Sequence, residues 1–244
     1  MPLPKSRCLE KEFGREKQMD LNSKLAVLEQ IYRVYDEFLH TLHIACKKYC
    51  AGCCTRNVTL TTLEGYLIAT HMTSYGKSGL LENIESALPK KRFQPLTTTN
   101  RLADLCMKGE DPPEEKHEDP NGRCPLLKDN LCPIYPVRPF ACRCFVSKKD
   151  CRKQGYAEVD PFILSVNNLF LQVIEHVDSQ GFSGNLIDVL KFMASKNNRH
   201  NYKHNTLNNP NTALIPNLKI TVLMIPPEHR VEITPILSAL QNIT

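Results

Sequence analysis

The apolar positions along the chain predict a mainly helical protein. Between about residues 20 and 44, apolar side chains recur at alternating spacings of three and four, the period of a helix with one buried face. The same period returns between residues 162 and 177. Each pattern predicts a helix that packs against the core. The apolar positions are Leu25, Leu28, Tyr32, Tyr35, Leu39 and Leu42 in the first helix, and Phe162, Val166, Leu169, Phe170, Val173 and Val177 in the second.

Local signals for helix ends predict further helices. Thr61 stands three residues before Glu64, a capping-box pattern in which each side chain binds a backbone N–H at a helix start. Asp160 followed by Pro161 predicts another helix N-terminus. Helices are also expected over residues 80–87, 96–107 and 185–194, and a terminal helix near Thr234. The apolar stretch around Leu218 predicts a strand.

Two polar stretches predict loops. Residues 109–122 are acidic and rich in proline, so they have little apolar surface to bury. Residues 195–211 are rich in Asn, which disfavours a helix, and we expect a flexible loop there. The chain then divides into a charged N-terminal segment (1–19), a cysteine-rich domain (20–160) and a C-terminal helical region (161–244) that packs on it.

Composition and charge exclude several classes of function. The 244 residues carry a formal net charge of +5, but the basic residues are scattered and pair locally with acids, so no nucleic-acid surface is predicted. No stretch reaches the roughly 18 apolar residues of a membrane span, and the charged start lacks a secretory signal. A cytoplasmic protein is expected, in which cysteines stay reduced. An interaction with another protein is left open.

The cysteines are the chemical feature of this sequence. Four of the 11 lie in CKKYCAGCC, at Cys46, Cys50, Cys53 and Cys54. Disulfides, a reactive thiol and a metal site are the three candidate explanations. Disulfides fit poorly with a reducing compartment and an odd number of cysteines. Crowded thiolates repel one another unless a cation neutralises them, and soft sulfur ligands select zinc, copper(I) or iron–sulfur clusters over calcium and magnesium.

A second cysteine-rich stretch, CPLLKDNLCPIYPVRPFACRCF, begins at Cys124 and also contains Cys132, Cys142 and Cys144. The sequence Lys128-Asp129-Asn130 predicts a tight turn between Cys124 and Cys132. Four prolines exclude a continuous helix, so a bound metal would replace missing backbone hydrogen bonds. The fold expected is therefore a helical domain with two irregular cysteine-rich loops converging on a metal site.

These residues carry a family resemblance. The two stretches together resemble the zinc- or iron-chelating cysteine-cluster family (YkgJ-like), which includes flagellin lysine N-methylase, over about residues 46–145. The resemblance implies metal chelation, with an iron–sulfur cluster of the 4Fe-4S type in the methylase relatives. The ligands it implies are Cys46, Cys50, Cys53, Cys54, Cys124, Cys132 and Cys142.

Several alternatives stay open at this point. The main hypothesis is a metal-binding protein with an iron–sulfur cluster or zinc and a redox, sensing or carrier role. A protein lysine N-methylase-like enzyme, a radical S-adenosylmethionine enzyme and a zinc-stabilised interaction module are the others. Cys144 and Cys151 are undecided as ligands. Arg138 and Arg143 are either surface residues or donors to metal-bound sulfur.

Overall fold

The computed structural model describes residues 19–76, 79–116, 122–208 and 213–243, and the predicted N-terminal segment falls almost wholly outside them. The chain is mainly helical, as predicted, with one small sheet. The helices are α1 (Leu21–His40), α2 (Thr62–Ser74), α3 (Leu80–Ala87), α4 (Thr99–Lys108), α5 (Phe140–Arg143), α6 (Cys151–Gln154), α7 (Pro161–Val177), α8 (Leu186–Ala194), α9 (Lys196–Lys203) and α10 (Arg230–Gln241). The strands are β1 (Thr59–Thr61), β2 (Phe182–Asn185) and β3 (Ile215–Pro216).

The predicted caps are present at the helix starts. At α2, Thr61 and Glu64 form both bonds of the capping box, and at α7 the Asp160 side chain accepts from the N–H of Phe162. At α8, where a helix but no cap is predicted, the side chain of Asn185 accepts from the N–H of Ile187. These ends are fixed by short-range hydrogen bonds, which is why the sequence predicts them well.

Other sequence expectations are wrong at the boundaries or in kind. The first helix ends at His40 instead of near residue 44. Part of the Asn-rich stretch expected to be a loop, Lys196–Lys203, forms α9. Ser195 caps this helix, and the Tyr202 side chain within it is buried. No strand forms around Leu218 in the described chain; the third strand is only Ile215–Pro216. The last helix begins at Arg230, with Pro235 inside it.

The core joins α1 to α7 through a group of aromatic rings. Tyr35 of α1 meets Phe140 and Phe170 edge-on, with ring centroids 4.7 and 5.0 Å away, and the two Phe rings stack at 5.4 Å. All three side chains are fully buried. Phe140 is the first residue of the short helix α5, so this packing anchors α5 to the helical body.

The sheet connects the N-terminal and C-terminal parts of the chain. Its strand order is β1-β2-β3, both pairs are antiparallel, and Leu60 pairs with Gly184. The N–H of Leu186 also donates to the carbonyl of Val58. One hydrophobic core contains residues from α1, α2, α3, α5, α7, α8, α9 and α10. None of the described helices is long and apolar enough to cross a membrane.

Candidate metal centre

Two tight turns shape the first cysteine-rich loop. The N–H of Cys50 donates to the carbonyl of Lys47 over 3.0 Å, and the N–H of Cys54 donates to that of Ala51 over 3.2 Å. Tyr49 has a φ of 73°, a left-handed conformation that a turn of this kind usually assigns to Gly or Asn. In an extended chain the four cysteines of this loop would be spread apart. The two consecutive turns bring them closer together.

The second cysteine-rich loop has the predicted reversal. Lys128 and Leu131 exchange both backbone hydrogen bonds across Asp129 and Asn130. Both turn residues have positive φ, at 49° and 60°, as a type I′ hairpin turn requires. The chain then turns through a 3-10 helix (Tyr135–Val137) into α5, which carries Cys142.

All seven predicted ligands line one cavity. The cavity has a volume of about 240 Å³ and lies between the two loops. Arg138 and Tyr135 also line it, as do Tyr49, Leu131 and Phe145, which are about half exposed or more at its mouth. Cys144 and Cys151 do not line it, and Cys106 is buried in α4. The cysteines lining it are Cys46, Cys50, Cys53, Cys54, Cys124, Cys132 and Cys142.

Burial and neighbouring thiols shift the pKa of several of these cysteines. Burial raises the pKa of Cys142 well above its usual value, and the neighbouring Cys124 and Cys132 raise it further. Burial likewise raises the pKa of Cys124. Cys53 and Cys54 share a hydrogen bond that raises the pKa of Cys53 and lowers that of Cys54, so Cys54 is the readier of the two to ionise. A metal ion would have to displace protons from this set.

The two arginines of the second loop have different roles. Arg143 is buried, and its guanidinium lies over the Tyr32 ring at 4.1 Å. Its Nε–H donates to the carbonyl of Arg138, and its Nη2–H donates to the carbonyl of Pro136. It holds the backbone of the turn. The guanidinium of Arg138 lies over the Tyr135 ring at 4.2 Å, while its Nε is buried without a hydrogen-bond partner.

The buried Nε of Arg138 is an observation against which a metal centre in the cavity can be judged. An unpaired buried N–H is costly, and neutral thiols are weak acceptors. Thiolates bound to a metal carry the negative charge that a guanidinium would offset, so the donor set and Arg138 both fit a thiolate-ligated centre. Among the described residues, no three His, Cys, Asp or Glu side chains already stand in a metal-holding arrangement. The thiols would therefore have to turn inward on binding.

Glu64 fixes the position of the second loop. The sequence indicates this residue only as part of a helix cap. Its side chain accepts from the Tyr32 hydroxyl at 2.8 Å, the N–H of Phe140 at 2.7 Å and the N–H of Thr61 at 2.9 Å. It thus joins α1, α2 and the start of α5. The sequence pattern around Glu64 predicts only its hydrogen bond at the helix start. Its bond to Phe140 depends on the tertiary structure, so the sequence does not reveal it.

Comparison of the chain with protein-family models, with curated proteins and with solved structures finds no match. The family resemblance therefore stays a hypothesis that rests on the cysteine spacings.

Proposed function

We propose that this chain is a metal-binding protein whose clustered cysteines hold an iron–sulfur cluster or zinc, and that the centre serves a redox, sensing or carrier role. One observation carries the proposal: seven thiols from two loops line a single cavity of about 240 Å³. Soft sulfur donors in this number suit zinc or iron and not calcium or magnesium.

An iron–sulfur cluster is the better fit of the two groups. A structural zinc ion takes four ligands at about 2.3 Å, which closes the sulfurs around the ion and leaves little space between them. A volume of about 240 Å³ between the thiols is more space than one zinc ion occupies, and it suits the larger iron–sulfur cluster. When bound, such a cluster would supply one-electron chemistry.

The protein residues around the cavity would bind, orient and neutralise the centre. Arg138 would donate its buried Nε–H to bound sulfur and offset negative charge. Arg143 would hold the Pro136–Arg138 turn, and Glu64 would hold α5 through the N–H of Phe140. Tyr49 and Phe145 at the mouth would limit the access of water.

The alternatives have less support. The short helix α5 and the irregular loops have few backbone bonds of their own, which favours a zinc-stabilised interaction module as the second candidate. Among the described residues the sheet has three short antiparallel strands, which is unlike the parallel sheet of a dinucleotide-type cofactor fold. A methylase-like activity stays a hypothesis of the resemblance alone.

The proposal includes the cytoplasm as the compartment, because its reducing conditions would keep the cysteines available as thiolate ligands.

The test is anaerobic purification followed by iron, acid-labile sulfide and zinc analysis and an absorption spectrum. Iron with sulfide and a broad visible absorption supports the cluster, and zinc alone supports the interaction module. A chain with neither metal, which also takes up neither on anaerobic reconstitution, would overturn the proposal. Cys106→Ser is the matched control because Cys106 does not line the cavity.

A further inference from the structure

The first cysteine-rich loop contacts different segments at its two ends. At the Cys54 end, the N–H of Cys124 donates to the carbonyl of Cys54 over 3.0 Å, and the N–H of Arg56 donates to that of Gly122 over 2.7 Å. Thr55 and Arg123 form an antiparallel bridge between these two bonds. The second cysteine-rich loop is thus fastened beside Cys54.

The opposite end of the first loop lies against the segment that leads into α6. The N–H of Ala45 donates to the carbonyl of Ser147 over 2.8 Å, and the Cys46 thiol lies 3.9 Å from the carbonyl oxygen of Phe145. The Sγ of Cys151 is 3.5 Å from the point that a Cβ on Gly52 would occupy. Cys151 therefore lies beside the first loop, away from the cavity lining.

The first-loop thiols on the side of Cys151 follow from this geometry. Gly52, which lies beside the Cys151 thiol, stands between Cys50 and Cys53 in the sequence. Cys46 directly follows Ala45, whose N–H donates to Ser147.

On the other side, the 3.0 Å backbone bond holds Cys124 beside Cys54, and the Lys128–Leu131 hairpin then leads the chain to Cys132. Cys142 lines the same cavity from α5.

We propose that the chain carries two four-thiol centres, one formed by Cys46, Cys50, Cys53 and Cys151, and the other by Cys54, Cys124, Cys132 and Cys142. This inference rests on the proposed metal-binding function and adds Cys151 to its ligands. Four cysteines satisfy one zinc ion or one 4Fe-4S cluster, and a short cysteine run can supply ligands to two clusters. At each centre four metal–sulfur bonds replace four S–H bonds, and the protons leave to solvent.

The two-centre arrangement explains why the first loop has two adjacent cysteines. Cys53 belongs to the centre held against Cys151, and Cys54 belongs to the centre held against Cys124. Arg138 lines the cavity together with thiols of both sets. Its guanidinium would stand between two negatively charged centres.

The experiment loads the full chain anaerobically with zinc alone and with cobalt(II) alone, and measures metal per chain and the cobalt–thiolate absorption. We expect about two metal ions per chain in the native protein and in Cys106→Ser, and about one in Cys151→Ser and in Cys124→Ser. The Cys124→Ser/Cys151→Ser double variant should bind almost none. Helical circular dichroism and a parallel Cys151→Ala variant separate loss of a ligand from loss of fold.

Different results overturn different claims. A native chain that binds one ion, lost in either single variant, would leave the metal-binding function standing and overturn the two-centre arrangement. Two ions retained in Cys151→Ser, with one lost in Cys144→Ser, would overturn the assignment of Cys151. A native chain that binds no metal would overturn the proposed function and this inference with it.

Discussion

The backbone N–H of Cys124 donates a hydrogen bond to the carbonyl oxygen of Cys54 over 3.0 Å. This bond joins two cysteine-rich loops that lie far apart in the sequence, and it places thiols from both around one cavity. Substitutions in either loop should therefore alter metal binding, although no residue of one loop is near the other along the chain.

Cys50→Ser and Cys132→Ser test this directly. Each removes one thiol from the cavity lining, so each should lower the metal content of the protein as isolated, by about half or more. Metal analysis of the purified variants measures the change, with Cys106→Ser as the control. If Cys132→Ser keeps full metal content while Cys50→Ser loses it, the second loop does not contribute ligands.

Thiol labelling tests the same centre without substitution. In the native reduced protein, fewer than half of the 11 cysteines should react quickly with a thiol reagent, because metal-bound sulfur is protected. A strong chelator should expose the rest. Equally rapid labelling with and without chelator would show that the thiols are not bound to metal.

The sequence predicts the local features of this protein well. The capping box at Thr61, the N-cap at Asp160 and the Lys128–Asn130 turn depend on residues a few positions apart, and all three are present. The cysteine spacings likewise indicate part of the lining of the cavity, because Cys46, Cys50, Cys53 and Cys54 lie within nine residues of chain and all line it.

The features that the sequence does not predict depend on tertiary contacts. The helix α9 forms from an Asn-rich stretch because the buried hydroxyl of Tyr202 donates to Asp178, a partner that propensity cannot reveal. The position of Cys151 beside Gly52 depends on how the chain returns after α5. The bond from Phe140 to Glu64 is a further case, since the two residues meet only in the folded state.

Glu64→Gln should destabilise the protein and loosen α5. Glu64 is buried and accepts from Tyr32, Phe140 and Thr61; the amide group of Gln would face the Thr61 N–H as a second donor. Losing hydrogen bonds to a buried carboxylate typically costs about 2–3 kcal/mol of unfolding free energy. Denaturant unfolding measures this cost. Glu29→Gln is the matched control, because the Glu29–Arg33 pair is exposed and should change the stability by less than about 0.5 kcal/mol.

Metal content of Glu64→Gln gives a second measurement. Because Glu64 orients α5 and hence Cys142, we expect weaker retention of metal against a chelator in this variant than in Glu29→Gln. A variant that loses stability but retains metal as firmly as the native chain would show that Glu64 stabilises the fold and has no effect on metal binding.

Asp178 should make stability fall as pH rises. Burial raises the pKa of Asp178 to about 6 from an ordinary 3.8, although hydrogen bonds from Tyr202 and Thr62 and the charge of Lys24 oppose it. The folded state then binds a proton more tightly than the unfolded state does. The stabilisation that this proton on Asp178 provides is complete below about pH 4 and is lost as pH rises through about 6. The unfolding free energy changes by roughly 2–3 kcal/mol over this range.

The Asp178→Asn variant isolates this contribution, since an amide does not titrate. The amide of Asn has one acceptor oxygen in place of two, so it weakens some of the hydrogen bonds that Asp178 accepts, such as those from Leu63 and Thr62, but that cost is the same at every pH. The native protein should lose stability relative to the variant between pH 4 and 7 in denaturant titrations. Parallel pH profiles for the two proteins would mean that Asp178 has the same pKa folded and unfolded.

Removing the metal should unfold the cysteine-rich region and leave the helical body intact. Tyr35 packs against Phe170, and the helices α1, α2, α7 and α8 supply most of the hydrophobic core, to which the Cys124–Cys151 region adds Leu126, Ile134 and Phe140. The region from Cys124 to Cys151 contains only short helices and turns, so its order should depend on metal–sulfur bonds. After chelation, helical circular dichroism should be nearly unchanged while a protease cuts between residues 124 and 151. Complete loss of the helical signal would instead make the metal the main structural element and favour the zinc-stabilised interaction module.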